Sequence, residues 1–185
     1  MNLYFRFFYA IFTSFFRAKI KSPLDSTKRT FWVLPTDLDL NGHMNNGRYL
    51  TLMDIGRMDY AIRLGLGAYM FKNKHYPLTM GVTIRYRLPL MPFQKFEIHT
   101  RTICWGQKWI YMDQQFIIKG GSRDGVVAAV ALIKISYSDV RKHTTILTKD
   151  FLNAIGMHVT SPPIPAYIDK WTDTEDSIKE EMMQQ

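Results

Sequence analysis

Residues 37–67 decide the fold of this chain and read DLDLNGHMNNGRYLTLMDIGRMDYAIRLGLG. Residues 37–46 are rich in loop formers, and from Gly47 onward apolar residues recur at helical spacing. The recurring residues are Tyr49, Leu52, Met53, Gly56, Tyr60 and Leu64. Gly65 and Gly67 then provide a stop signal. This segment therefore predicts one long helix with a single buried face, which begins directly after a polar loop.

Runs with a high strand propensity lie on both sides of this helix. Residues 30–34 precede it, and four longer stretches follow Pro77 at residues 78–88, 95–105, 108–119 and 126–137. The first of the four alternates, and its apolar side consists of Val82, Ile84, Tyr86 and Leu88. This order of elements predicts an α+β fold in which an antiparallel sheet wraps around one long central helix.

The composition is that of an ordinary globular protein. The chain has 185 residues, of which 46% are hydrophobic and 22% charged, so disorder and repeat architectures are excluded. A net charge of +8 favours an anionic partner, such as an acidic membrane surface or a phosphorylated small molecule. The basic residues are dispersed and no nucleic-acid-binding motif is present, so nucleic acid is not an expected partner.

Cysteine and histidine usage indicates a reducing compartment. The chain has one cysteine, Cys104, which has no second cysteine for an internal disulfide. No Cys/His cluster has the spacing of a zinc site, so no metal is expected. A cytoplasmic location fits these features best, with the N-terminal segment allowing peripheral contact with a membrane.

Residues 3–17 form an aromatic-rich segment that is too short and too interrupted by Arg6 to span a membrane. Drawn as a helix, it has a narrow stripe of Arg6, Ala10, Thr13 and Arg17, and apolar residues cover most of the remaining surface. Two locations suit this pattern: a membrane interface, or the surface of the protein or of a partner subunit. For the membrane location we expect Arg6 and Arg17 to lie at the headgroup level.

The chain is predicted to divide into three parts. The aromatic-rich helix occupies residues 1–20, and a linker with Ser, Pro and Asp occupies residues 21–28. The sheet and its central helix belong to a folded domain over residues 29–185.

The loop before the central helix, residues 37–49, carries the side chains best suited to chemistry. It contains two carboxylates, three carboxamides and an imidazole beside the unpaired N–H groups of a helix start. Such donors can hold an oxyanion, and a carboxylate or imidazole next to them can act as nucleophile or general base. This combination is what cleavage of a thioester needs. Capping alone remains an alternative for Asn45 or Asn46, and we interpret Asp37 as a brace of the loop.

The string Asp-x-Asp-x-Asn-Gly-His-Met-Asn-Asn-x-x-Tyr at residues 37–49 resembles the signature of hotdog-fold thioesterases. It is similar to 4-hydroxybenzoyl-CoA-thioesterase-like proteins in its second aspartate, which implies a catalytic carboxylate at Asp39. It also resembles plant acyl-carrier-protein thioesterases, whose Asp-x-Asn-x-His triplet implies catalytic roles for Asp39, Asn41 and His43. A branch of the superfamily shows a later Thr-Ile-Arg-Tyr-Arg, here residues 83–87, and a Pro-Pro pair, here residues 162–163.

The resemblance implies a hotdog-fold hydrolase that converts acyl-CoA or acyl-carrier protein into free acid and thiol. It implies no cofactor other than the coenzyme A of the substrate, and a homodimer or dimer of dimers with the acyl site between subunits. The expected substrate-binding residues are Asn45, Asn46, Gly47, Arg48, Tyr49, Arg85 and Arg87. The position of Arg85 and Arg87 in a strand suits contact with the phosphates of coenzyme A, and a solvated strand face is the alternative for both.

One departure from the plant enzymes limits the catalytic residues that the resemblance implies. Those enzymes carry Glu and then Cys just after their strand motif, where this chain has Pro89 and Leu90. No second acid is therefore expected from that strand. A non-catalytic acyl-binding or lipid-binding module at a membrane surface is the alternative function.

Overall fold

A computed structural model describes residues 2–184 of the chain. Its helices are α1 (Asn2–Ser14), α2 (Asn46–Arg63), α3 (Leu66–Asn73), α4 (Thr148–Ala154) and α5 (Ala166–Met183). Its strands are β1 (Thr27–Trp32), β2 (His75–Tyr86), β3 (Lys95–Trp105), β4 (Ile110–Lys119), β5 (Val127–Asp139) and β6 (Thr144–Ile146). Short 3-10 turns at Pro35–Asp37 and Gly121–Arg123 complete the regular structure of these residues.

The strands form one antiparallel sheet in the order β1-β3-β4-β5-β2, and β6 pairs with the end of β5. The inner face of the sheet is mainly apolar, includes the buried polar residues Thr100 and Gln114, and packs on α2. At Gly56 of α2, an added Cβ would lie 2.8 Å from the amide nitrogen of Gln114 and 3.1 Å from the hydroxyl of Thr100. Glycine therefore lets the helix approach the sheet closely. The predicted arrangement, a sheet wrapped around one central helix, is confirmed.

Helix α2 follows the predicted periodicity. Leu52 and Met53 are fully buried and Tyr60 is 4% exposed. The helix ends where expected, since Gly65 has a φ of +89° in the left-handed region. The chain then starts a second helix, α3, at Leu66, and the sequence analysis did not predict it.

The strand predictions agree with the structure to within a few residues, and residues 95–105 coincide with β3. The strand β1 begins at Thr27, inside the segment that we interpreted as a linker. The division of the chain into helix, linker and domain stays a prediction. The helices α4 and α5 and the short strand β6 were not anticipated.

The N-terminal segment is helical, as predicted, but its polar stripe faces the protein. Arg6 donates to Asp37 over 2.7 Å, Ser14 donates to Asp59 over 2.7 Å, and Arg17 lies 3.2 Å from Asp59. The expectation that Arg6 and Arg17 lie at a headgroup level is therefore wrong, because two buried carboxylates of the domain require cationic partners.

The aromatic face of α1 points away from the protein. The exposed side chains of α1 and of the turn after it, at 56–76% of full exposure, are Tyr4, Phe5, Phe8, Tyr9, Phe12, Phe15 and Phe16. Among residues 2–184 no helix is long and apolar enough to cross a membrane. We refer to this set of seven side chains as the aromatic face.

The C-terminal helix α5 covers part of the outer face of the sheet. Ile168 is fully buried beside Cys104 and Tyr111, and Trp171 packs edge-on against Tyr111 at 6.3 Å between ring centroids. The outer face is therefore shielded where α5 crosses it.

Candidate active site

A tight turn shapes the loop before α2. Leu38 and Met44 form an isolated antiparallel bridge, which closes the base of the turn. The Asp39 N–H donates to the His43 carbonyl over 3.0 Å, and the Gly42 N–H donates to the Asp39 carbonyl over 3.1 Å. Gly42 adopts a φ of +76°, which glycine reaches without the steric cost of a side chain. The turn therefore brings the side chains of residues 39 and 43 to the same side.

The side chains of Asp39 and His43 form a pair at the surface of this turn. Oδ2 of Asp39 lies 3.4 Å from Nδ1 of His43, and Oδ1 of Asp39 accepts the Asn41 N–H over 2.9 Å. The two side chains keep 22% and 35% of their full exposure, so water and a substrate can reach them. A carboxylate held in one orientation beside an imidazole can act as a general base or a nucleophile.

Asp37 braces the loop, as the sequence analysis proposed. Its side chain is 1% exposed and accepts from Arg6 at 2.7 Å and from the Leu34 N–H at 2.9 Å. Arg48 lies 3.8 Å from its other oxygen, and the Asp37 carbonyl accepts the Asn45 N–H over 2.8 Å. Asp37 thus fixes both ends of the turn and has no open side toward a substrate.

Asn45 caps the start of α2. Its side-chain oxygen accepts the Gly47 N–H over 2.8 Å, and its carbonyl accepts the Arg48 N–H over 2.9 Å. The capping interpretation of Asn45 is therefore confirmed. The N–H of Asn46 has no hydrogen bond within residues 2–184, so it is the donor at this helix end that an oxyanion can still use.

Tyr49 lies in the core, although we predicted that it binds substrate. It is 2% exposed and packs on Tyr86 and Phe116, with ring centroids 4.9 and 4.8 Å away. Burial raises the pKa of Tyr49 to about 12, with a smaller opposing effect from its hydrogen bond to the backbone of Leu90. The neutral phenol therefore fixes the first turn of α2 against the sheet and does not face the surface of the loop.

Arg85 and Arg87 lie on the outer face of the sheet, opposite to α2. Together with Asp113 and Tyr167 they line an open groove of about 600 Å³, and within residues 2–184 neither arginine forms an ion pair. The segment that follows β2 contacts the loop, because the Met44 N–H donates to the Leu90 carbonyl over 2.9 Å. The two arginines themselves lie on the other face of the sheet.

An apolar cavity of about 300 Å³ lies between the second half of α2, the inner face of the sheet and α4. Its wall is polar at Asp54, Arg57 and Thr79. Burial lowers the pKa of the Arg57 guanidinium, and the charge of Asp54 opposes this effect. The sequence analysis missed these residues, although a charged pair at positions 54 and 57 of a helix with a buried face was a usable signal.

A catalytic carboxylate at Asp39 is expected to border a pocket, but neither the apolar cavity nor the open groove reaches this residue. Asn41 and His43 line neither of them. The reason is geometric: the turn projects from the end of α2, and Leu40 at its tip is fully exposed. Among residues 2–184 no group of His, Cys, Asp or Glu side chains is arranged to hold a metal ion.

Comparison with known proteins gives consistent matches. The model of the Thioesterase-like superfamily matches residues 33–172. Protein THEM6 of Xenopus laevis is 34% identical over 152 residues, which cover 81% of this chain and 69% of that protein. A probable thioesterase of Saccharomyces cerevisiae is 33% identical over 126 residues, which cover 67% of this chain and 52% of the yeast protein.

The solved structures support the fold. The probable thioesterase YbaW of Escherichia coli superposes with a TM-score of 0.60 at 21% identity, over 69% of this chain and 95% of that one. The predicted hotdog fold is thereby confirmed. The family match includes the turn at Asp39, the central helix and the strands β2 to β5. The chain therefore belongs to the thioesterase-like superfamily.

Proposed function

We propose that this chain hydrolyses acyl thioesters of coenzyme A or acyl-carrier protein, with Asp39 as the catalytic carboxylate. The observation that carries this proposal is the pair formed by Asp39 and His43, 3.4 Å apart, on a turn that leads into α2. Membership of the superfamily supports the reaction, and the geometry of the turn supports the choice of residue.

Two routes begin at Asp39. As a general base, its carboxylate accepts a proton from water while the water oxygen adds to the carbonyl carbon, and the expelled thiolate recovers that proton. As a nucleophile, it adds to the carbonyl itself, releases the thiolate, and forms an anhydride that water then cleaves. In both routes Asn41 and His43 orient the carboxylate, and the Asn46 N–H at the helix start stabilises the oxyanion.

The apolar cavity is the proposed site of the acyl chain. Its volume of about 300 Å³ lies at the lower end of ligand pockets, which span about 300–1,000 Å³. It begins at Asp54, eight residues after the first residue of α2, or about 12 Å along the helix axis. An extended acyl group could lie along α2 from the turn to this cavity. Replacing Ala61, in the cavity wall, with Trp should then abolish hydrolysis of long acyl-CoA esters and spare short ones.

The exposed arginines at the end of β2, Arg85 and Arg87, are proposed to hold phosphate groups of the substrate. Arg85 and Arg87 have no ion pair within residues 2–184, and guanidinium groups bind phosphate in bidentate geometry. Replacing both with Met should raise KM for acyl-CoA more than it lowers kcat. The same change should have little effect on a thioester that lacks phosphates.

A homodimer is the proposed assembly. The strand β2 pairs only with β5 along one side within the described chain, so its other side is an open edge of twelve residues. Open edges are normally paired or covered in stable proteins. Sedimentation at micromolar concentration tests this, and a monomer that still hydrolyses thioesters would contradict it.

Asp39→Asn tests the catalytic assignment. We expect kcat to fall by about 10²–10⁴-fold, because the amide cannot accept the proton or attack the carbonyl. Binding of acyl-CoA and thermal stability should persist, and Asp173→Asn on the exposed side of α5 serves as the matched control. A variant with full turnover would rule out Asp39. If the unaltered chain binds acyl-CoA and hydrolyses none of a graded panel, the chain is a binding module.

Peripheral contact with a membrane is a second proposal, motivated by the aromatic face of α1. The ion pairs of Arg6 and Arg17 hold the polar stripe inward, so the aromatic face is fixed toward the outside. Aromatic side chains partition into the headgroup region, and a net charge of +8 favours anionic lipid.

Phe8→Ser combined with Phe12→Ser tests this membrane contact. Affinity for vesicles of phosphatidylcholine and phosphatidylserine should fall at least about tenfold, because two large apolar side chains are lost. Phe71→Ser, at an exposed Phe in α3, is the control. Unchanged sedimentation with vesicles would contradict the proposal.

A further inference from the structure

Helix α5 crosses the outer face of the sheet and reaches the open edge. Near its start, Ile168 packs with Cys104 of β3 and Tyr111 of β4. Two turns later, Glu175 accepts from Lys134 of β5 over 2.9 Å. A Cβ added at Gly81 of β2 would lie 2.0 Å from a carboxylate oxygen of Glu175, so this side chain rests on the edge strand. The helix thus passes over the strands in their order in the sheet and reaches the last one at Glu175.

Beyond Glu175 the helix continues past the edge. Residues 176–183 are all exposed, with Ile178 at 53% and Met182 at 73% of full exposure. These two residues extend the stripe that faces the sheet, which consists of Ile168, Trp171, Glu175, Ile178 and Met182 at alternating steps of three and four. The stripe therefore continues where the described chain has no sheet beneath it.

The length of this projection matches a sheet that continues. Eight helical residues span about 12 Å at 1.5 Å per residue. Neighbouring strands lie about 4.8 Å apart, so the projecting turns can cover about two further strands. The helix is long enough to pack on strands beyond β2.

The two edges of the sheet differ in their cover. At the β1 edge, Arg6 of α1 and Arg17, just after this helix, donate to the backbone carbonyls of Trp32 and Lys28. The β2 edge has no such cover within residues 2–184. Leu78 of β2 pairs with Ser136, on the same outer face as Lys134, and is 47% exposed. An exposed apolar side chain thus lies on the outer face of the open edge.

The negative charge of the projecting turns disfavours binding to an anionic partner. They carry Asp176, Glu180 and Glu181 against one lysine, Lys179. A net negative segment is repelled by anionic lipid and by nucleic acid. A second copy of this chain offers the surface that the stripe lacks. If the two copies pair along β2, the sheet of the second copy continues beneath Ile178 and Met182.

We propose that residues 176–183 dock on a second copy of this chain. The β2 strands of the two copies pair edge to edge, and Ile178 and Met182 of each copy pack on the outer face of the other copy's sheet. This inference rests on the proposed homodimer and adds a contact on the face opposite to α2. The two α5 helices, related by the symmetry of the dimer, pack across the boundary between the two sheets.

The first experiment is the double change Ile178→Asp and Met182→Asp, with Met183→Asp as control. Met183 is 76% exposed but lies off the stripe. The dimer dissociation constant, from sedimentation equilibrium, should rise about 100-fold or more, because two buried apolar side chains are replaced by charges. The control should change it less than about threefold. Circular dichroism verifies that each chain is folded.

The outcomes separate this inference from the homodimer proposal. If the double variant dimerises as tightly as the unaltered chain, the docking of α5 is wrong and the homodimer stands. If the unaltered chain is monomeric at micromolar concentration, the homodimer proposal fails and the docking fails with it.

A crosslink gives a second, independent measurement. Chains carrying Ile178→Cys and chains carrying Leu78→Cys are mixed and oxidised; the native Cys104 is fully buried. We expect a covalent heterodimer on a non-reducing gel. Ser177→Cys, on the opposite side of α5, should give little. Equal crosslinking from positions 177 and 178, or none from either, would overturn the proposal.

Discussion

Helices α1 and α2 differ in which side chains they turn mainly toward the protein. Helix α2 buries apolar residues such as Leu52 and Met53, both fully shielded. Helix α1 buries Ser14 and holds Arg6 against the protein, whereas Phe8 stays 65% exposed. The comparison teaches that an apolar pattern locates a helix but does not decide which side faces the protein. For α1, the buried carboxylates of Asp37 and Asp59 determine which side of the helix faces the protein.

The charge that orients α1 is Asp59 of α2. Its side chain is fully buried, accepts from Ser14 and Arg29 over 2.7 and 2.8 Å, and lies within 3.5 Å of Arg17 and Arg63. Burial lowers the pKa of Arg29, while the charge of Asp59 opposes that shift. The polar stripe of α1 therefore completes a buried ion cluster, and the aromatic face is left outside.

Asp59→Ala should have the largest effect, because it leaves the buried Arg29 without its carboxylate. Removing one partner of a buried pair costs about 3–5 kcal/mol. Unfolding in urea measures this loss, and α1 should become sensitive to proteases. Asp173→Ala, at an exposed site, should change stability by less than about 0.5 kcal/mol. A loss below about 1 kcal/mol for Asp59→Ala would show that the cluster does not hold α1.

Leu52→Ala tests the apolar side of the comparison. Truncating a fully buried leucine costs about 2–5 kcal/mol, because it removes packing and leaves a cavity. The midpoint of urea unfolding should fall with an unchanged slope. Leu50→Ala is the matched control on the same helix, since Leu50 is 44% exposed. Equal losses at the two positions would contradict the assigned inner face.

Arg6→Met should have an intermediate effect. Asp37 is 1% exposed and would keep Arg48 at 3.8 Å and the Leu34 N–H, so the loss is about 1–3 kcal/mol. Thioester hydrolysis should also fall, because Asp37 fixes the turn that carries Asp39. Arg123→Met in the turn between β4 and β5 is the control. Unchanged stability and turnover would show that the contact between Arg6 and Asp37 supports neither the fold nor the loop that carries Asp39.

Phe8→Ala should have the smallest effect. A side chain 65% exposed loses little packing, so stability should change by less than about 0.5 kcal/mol. The measurement is the same urea titration. A loss as large as that of Leu52→Ala would place the aromatic face inside a contact, and the comparison between the two helices would fail.

The sequence predicted the elements with strong local periodicity. The central helix and the strand at residues 95–105 follow from apolar spacing alone. Helix α3 was missed because Gly65 ends α2 correctly, yet the chain continues as a helix from Leu66. Helix α5 was missed because charged residues dilute a stripe whose apolar members are separated by three to seven positions.

The candidate site was predictable to the extent that its residues are neighbours in sequence. Asp39 and His43 are four positions apart, so a turn brings them together. The inward face of α1 depends on Ser14 and Asp59, which are 45 positions apart, and no local pattern encodes that contact. The helical spacing placed Tyr49 on the buried face of α2, but its hydrogen bond to the backbone of Leu90 could not be inferred, for the same reason.

The distance in sequence between α1 and its docking site has a consequence during synthesis. The helix is made first, but Asp59 follows Ser14 by 45 residues. At about 5–20 residues per second, the nascent aromatic helix waits about 2–9 s before that carboxylate exists. In this interval the seven aromatic side chains belong to a helix that has no folded domain to pack on. A chaperone or another apolar surface can therefore contact these side chains before the rest of the chain has folded.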